Sequence, residues 1–200
     1  MRWSLGADDV CFRRPSHARF FALGQTAPVI RGNGVHQRSV DFIVEKLDQL
    51  KYVHLYPEGK VNMTTDWLRI KWGVAKMIID AQVPPIVVPI WHEGFEEILP
   101  NFPPYIPQVG KKVTIVFGEP FDTEPLLKKI SVEEEEEKML DGGNAHDDLF
   151  KVAEEEKIKA KYGLKELSAV ERRRKRICDH LENELKKLRL KTHAIHFSSG

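Results

Sequence analysis

All twelve prolines of this 200-residue chain fall between Pro15 and Pro125, and the remainder of the chain has none. Proline fixes φ and removes a backbone donor, so the first part must be built from short, repeatedly interrupted elements. The proline-free remainder is free to form long helices. All four tryptophans also lie in the first part, whereas residues 131–200 are dominated by charged runs. The chain therefore divides into a compact α/β domain over 1–130, an acidic and glycine-bearing hinge over 131–145, and a helical tail over 146–200.

Within the first part, Ala27 to Arg31 (APVIR) reads as a short strand closed by the Gly32-Asn33-Gly34 turn. Val40, Ile43, Val44, Leu47 and Leu50 recur at helical spacing and predict an amphipathic helix from His36 to Leu50. Tyr52 to Tyr56 is a strand stopped by Pro57-Glu58-Gly59. A second helix is expected over Asp66 to Ala81, with Ile70, Val74, Met77 and Ile78 on one face. Pro84-Pro85 ends it, and Ile86 to Trp91 and Lys112 to Phe117 are further strands. Strands alternating with helices of this length predict parallel strand pairs covered by helices.

In the tail, Glu133 to Glu137 and Asp141-Gly142-Gly143-Asn144 mark the hinge, and helix is expected from His146 onward. Val170, Ile177, Leu181, Leu185 and Leu188 trace a heptad-like stripe. It fits either a helix docked on the domain or a coiled coil through which the chain self-associates. The basic run Arg172 to Arg176 offers a contact for anionic lipid headgroups.

Composition removes several classes of function. The 31 Lys+Arg balance 30 Asp+Glu to a net charge of +1, giving no electrostatic attraction to nucleic acid. Cys11 and Cys178 show no ligand spacing, so neither a disulfide scaffold nor a zinc site is indicated. The longest apolar stretch, Val83 to Trp91, contains three prolines and is far shorter than the roughly 20 residues of a spanning helix. MRWSLGADDV has no secretory signal, and Asp8 and Asp9 disfavour a mitochondrial presequence. What remains is a soluble or membrane-surface protein. Phe95, Ile98, Leu99, Phe102, Tyr105 and Ile106 then read as a packed loop or as an apolar rim that meets lipid.

Val53-His54-Leu55-Tyr56-Pro57-Glu58-Gly59-Lys60 carries the sharpest chemical signal: a strand running into a tight turn that bears a carboxylate and a cation. Ligands of open α/β sheets sit beyond the carboxyl ends of strands, where this turn lies. Gly59 permits close backbone approach, Lys60 supplies a point charge for phosphate, and Glu58 can orient a hydroxyl or a basic partner. Arg31, at the end of the preceding strand, is suited to bidentate phosphate binding and completes a clamp with Lys60. The plainer alternative is a strand-end turn in which Glu58 pairs with an arginine.

Three ordered blocks, ALGQTAPVIRG at 22–32, LYPEGKVN at 55–62 and PPIVVPIWH at 84–92, resemble the glycerolipid acyltransferases of the PlsC-like type. MRWSLGADDVCF at 1–12 and the segments at 54–73 and 89–121 are similar to the branch that moves acyl chains between phospholipids. The resemblance spans about residues 1–125. It implies an α/β acyltransferase domain and a phospholipid–lysophospholipid transacylation that remodels cardiolipin. Neither coenzyme A nor a metal is implied. Phospholipid and lysophospholipid substrates are, on mitochondrial membranes facing the intermembrane space. Arg31 and the Glu58-Gly59-Lys60 turn are assigned to the glycerophosphate portion, and Ile86 to Pro89 to the acyl-chain side.

One departure matters. In this family an H-x4-D motif ahead of the Arg31 block supplies the general base and its orienting carboxylate. Here His17 has Ala22 at that spacing, and the one match, His36–Asp41, follows Arg31. On a helix, i and i+5 diverge by about 140°, so this pair is not expected to act together. His54 and His92 read as structural or site-lining. The resemblance thus assigns no catalytic residue in the chain and implies a truncated form lacking the dyad and the membrane anchor. The rival reading is a non-catalytic module that binds lipid or serves as a scaffold.

Overall fold

The computed structural model describes residues 2–141, apart from 63, 65, 101 and 104, together with residues 167–198. The order of elements is β1 (Arg2–Ala7), α1 (Asp8–Cys11), α2 (Pro15–Leu23), β2 (Thr26–Val29), α3 (Arg38–Asp48), β3 (Tyr52–His54) and α4 (Gly73–Asp80). Then follow β4 (Ile86–Val87), β5 (Ile90–Glu93), α5 (Phe95–Ile98), β6 (Thr114–Phe117), β7 (Phe121–Asp122), α6 (Thr123–Asp141) and a long helix, α7 (Ala169–Ser198).

A three-stranded parallel sheet in the order β2-β1-β3 forms the first layer. Its central strand, β1, is absent from the sequence reading, because Ser4 and Gly6 break the apolar run and leave only the alternation Trp3, Leu5. Those two side chains pack with α3 residues Val40, Ile43 and Val44, and with Met77 of α4, in the first of two cores. Opposite Met77, α4 presents Ala75 and Ile78 to the second core, which contains Ile70, Ile130, Ile177, Cys178 and Leu181. Helix α4 therefore lies between both. It also carries Lys76, whose side chain is 6% exposed and whose Nζ donates to Asp41 of α3 at 2.8 Å and to Asp80 at 2.6 Å.

Two elements are shorter than expected, each because backbone groups find partners elsewhere. The helix predicted over Asp66 to Ala81 begins only at Gly73. Ahead of it, Asn62 Nδ2 donates to Asp66 O, Ile70 N donates to a side chain of α7, and Lys71 N donates to Pro57 O at 2.8 Å. The strand predicted over Ile86 to Trp91 is divided at Pro89, which has no amide hydrogen for a ladder. Its halves pair antiparallel with different partners, β4 with β7 and β5 with β6.

Helix is observed through the acidic run Glu133 to Glu137, up to Asp141. Arg176 of α7 reaches Glu133 at 3.5 Å and also pairs with Glu137, so part of the charge that favoured a hinge is compensated across two helices. The rest of that hinge, and the helix expected from His146, lie outside the described residues as far as residue 166. Helix α7 docks on the domain. Its stripe residues Ile177, Leu181 and Leu188 are buried within the same chain, and its final turn places the His196 Nδ1 2.9 Å from Thr114 Oγ1 of β6.

Candidate headgroup site

The carboxyl ends of the three parallel strands open on one edge, where β2 leads to Arg31, β1 to Asp8-Asp9, and β3 to the Pro57-Glu58-Gly59 turn. Because β1 lies between the other two, the strands leading to Arg31 and Glu58 are not neighbours. Two inter-strand spacings separate them, about 10 Å. The gap is occupied on one side by Asp9, which accepts from Arg31 Nε at 3.1 Å and from Arg31 Nη2. Hydrogen bonding to Arg31 holds the Asp9 carboxyl below its ordinary range, and Asp9 in turn raises the guanidinium. Arg31 is thus at the expected edge, engaged by a carboxylate that the sequence reading did not foresee.

Glu58, Gly59 and Lys60 do share one turn. Gly59 adopts φ +69° and its amide donates to Tyr56 O at 3.1 Å, which only a residue tolerant of the left-handed region allows without strain. Half-burial pushes the Glu58 carboxyl up, and the positive groups opposing that rise are Arg189, His92 and Lys60, in that order. Lys60 and Gly59 are exposed. His54, the last residue of β3 and three residues before Pro57, lies near Tyr56 with ring centroids 5.0 Å apart. Burial lowers its pKa, helped by Arg2, so it is held toward the neutral form.

Arg189 comes from α7, and the sequence reading did not connect the tail with the turn. Its guanidinium lies 5.7 Å from the ring of Trp91, and Trp91 stacks on Trp67 at 5.8 Å with planes 12° apart. Lys186 covers Trp67 at 5.1 Å. One helical turn earlier, Glu182 Oε1 accepts the Ile70 amide at 2.9 Å. Glu182, Lys186 and Arg189 stand at i, i+4 and i+7, one helix face, beside the apolar stripe. That spacing was the available signal, hidden by the equally regular charges elsewhere on the tail.

The histidine–aspartate match does not form a dyad. The Asp41 carboxylate is held by Lys76, and His36 lies exposed before α3 begins. His92 sits on the outer face of β5 with its ring edge-on to Phe95 at 4.8 Å. Among the described residues no group of three His, Cys, Asp or Glu is placed to hold a metal ion, and no helix is long and apolar enough to cross a membrane. The turn offers a half-buried carboxylate under the field of several cations, chemistry suited to an anionic group.

Comparison with known proteins agrees with that chemistry. Residues 1–93 match the Acyltransferase family, and over 137 residues the chain is 44% identical to tafazzin of Drosophila melanogaster, covering 67% of this chain and 36% of that protein. The chain carries a tafazzin-like acyltransferase domain. The tafazzin of Saccharomyces cerevisiae is 32% identical over 165 residues, 61% of this chain and 43% of the yeast protein. An N-acylphosphatidylethanolamine synthase of Arabidopsis thaliana is 37% identical over 138 residues, 66% of this chain and 49% of its own length. The chain thus spans less than half the length of these curated relatives. The matched residues 1–93 include Arg31 and the whole Glu58 turn.

Proposed function

We propose that this chain acts in the exchange of acyl groups between phospholipids and lysophospholipids, with cardiolipin among the lipids remodelled, at a mitochondrial membrane surface facing the intermembrane space. Lys60 and Arg31 bind the glycerophosphate portion from the turn and from the end of β2, Gly59 lets the lipid approach the backbone, and Glu58 orients a hydroxyl. The observation that carries this reading is the Glu58-Gly59-Lys60 turn at the carboxyl edge of a parallel sheet, whose half-buried carboxylate feels the positive charges of Arg189, His92 and Lys60. Exposed apolar side chains support it. Phe102, Tyr105, Ile106 and Val109 are exposed on one loop, as are Ile90, Ile115 and Phe117 on the outer face of the β5–β6 ribbon. Such a surface can meet acyl chains while the turn holds the headgroup.

Proton transfer is not assigned to any residue of this chain. Asp41 is engaged by Lys76, so His36 lacks the carboxylate a general base needs for orientation. The second reading, a lipid-binding module without turnover, draws on the same exposed apolar loop. Liposomes carrying labelled cardiolipin and lysophosphatidylcholine test both. The expected result is flotation with the liposomes, weakened by Lys60→Gln and by the pair Phe102→Asp and Tyr105→Asp, with label transfer near background. Flotation indifferent to all three changes refutes the site. Robust transfer abolished by His36→Ala refutes the assignment of no base within the chain.

A further inference from the structure

The tail helix reaches the Glu58 turn by two routes, one mechanical and one electrostatic. Mechanically, Glu182 fixes the Ile70 amide, the next amide (Lys71) donates to Pro57 O, and the Lys71 stem packs 3.3 Å from where a Gly59 side chain would begin. The Pro57–Gly59 backbone is therefore tied through residues 70–71 to α7. Electrostatically, Arg189 is the strongest of the cations acting on Glu58, ahead of Lys60 from the turn itself. Its guanidinium lies against the aromatic column of Trp91 and Trp67, closed at its far end by Lys186. A guanidinium placed against a tryptophan ring loses little further freedom on binding a ligand, and its planar fork suits bidentate contact with a phosphate. The Trp67 indole N–H adds a buried donor with no acceptor among the described residues.

We propose that Arg189 of α7 is a binding residue of the headgroup site, sharing the phosphate of a glycerophospholipid with Lys60 at the Glu58 turn. It rests on the binding-site reading above and adds to it a helix outside the matched residues 1–93. Glu182 is the positioning residue that keeps the turn within Arg189's reach. Two permanent cations acting on one carboxylate suit an anionic headgroup. Protonating Glu58 removes the competing negative charge, so binding strengthens as pH falls.

The test uses the full 200-residue chain and dihexanoylphosphatidylglycerol below its micelle concentration, with binding followed by calorimetry. Arg189→Gln is expected to weaken binding about ten- to hundredfold, the range for a hydrogen bond to a charged group. Arg189→Lys, which keeps the positive charge, recovers part of the loss, and Lys187→Gln on the same helix changes nothing. The charged groups acting on Glu58 are Arg189 from α7, His92 from β5 and Lys60 from the turn. The pH profile is therefore measured in a His92→Asn background, so that no imidazole acts on Glu58. There the midpoint of the acid-strengthened binding moves to higher pH in Arg189→Gln, because a cation opposing the rise in the Glu58 pKa is gone. Arg189→Lys, which keeps the charge, leaves that midpoint where it is. If Arg189→Gln and Arg189→Lys bind like the wild type while Lys60→Gln weakens, the inference about Arg189 is overturned and the site stands. If Lys60→Gln is also without effect, the site reading fails with it.

Discussion

Replacing Ile177 by alanine probes whether the C-terminal helix belongs to the domain or merely rests on it. Ile177 has no exposed surface and packs among Ile70, Ala75, Ile78 and Ile130, residues from the pre-α4 segment, α4 and α6. The substitution removes three carbon groups, about 0.8 kcal/mol each, or roughly 2.4 kcal/mol in transfer free energy alone. The cavity left between two helices and an irregular segment raises the expected loss to about 2–5 kcal/mol. For a domain whose whole stability is of the order of 5–15 kcal/mol, that is a large fraction. Urea unfolding followed by circular dichroism reads the change as a lower midpoint with an unchanged slope. Leu190→Ala on the same helix, 74% exposed, supplies the comparison and is expected to stay within about 0.5 kcal/mol. If Ile177→Ala shifts the midpoint no more than Leu190→Ala, then α7 contributes nothing to the core and the account of the Glu58 turn loses its support.

Two further outcomes follow from local geometry. Gly94 has φ +91° and a methyl group there would overlap the Lys112 carbonyl oxygen, a backbone atom that cannot move aside. Gly59, at φ +69°, would meet only the flexible Lys71 stem, so thermal denaturation should rank Gly94→Ala well below Gly59→Ala, whose cost is about 1–2 kcal/mol of left-handed strain. Lys76→Met tests the buried ammonium between α3 and α4. Burial alone would depress its pKa, yet the hydrogen bonds it donates to Asp41 and Asp80 outweigh that and leave it raised. A raised lysine stabilises fully below its unfolded pKa and stops doing so as pH climbs through the folded value. The stability gap between wild type and Lys76→Met should therefore be flat through neutral pH and narrow only in alkali. A gap that opens at acid pH instead would refute this sign.

What could be read from the sequence was whatever repeats at short range. The α3 periodicity of Val40, Ile43, Val44 and Leu47, the strands at Tyr52 and Thr114, and the turn at Pro57 follow from local pattern and appear in the structure within a few residues. The central strand β1 escaped because its identity depends on two partners, β2 and β3, rather than on its own composition. Asp66 to Trp72 escaped for a related reason: its helical periodicity is overridden by hydrogen bonds to Pro57 and Glu182 that no local window contains. The site divides along the same line. Glu58, Gly59 and Lys60 are contiguous and were legible as a motif. Asp9 beside Arg31 and the field of Arg189 on Glu58 arise from topology, and a charged residue on a charged helix carries no mark that singles it out.

The amide of Ile70 is held by a carboxylate 112 positions further along the chain. A nascent polypeptide leaving the ribosome would therefore present the Pro57–Gly59 corner long before its clasp has been translated. Sheet and amphipathic helices can condense early from nearby segments, whereas the corner must wait for a distant closure. During that interval the tryptophans at 67 and 91 lack their cationic covers, so recruitment of a chaperone, or early contact with lipid, would be timed by the arrival of the final helix.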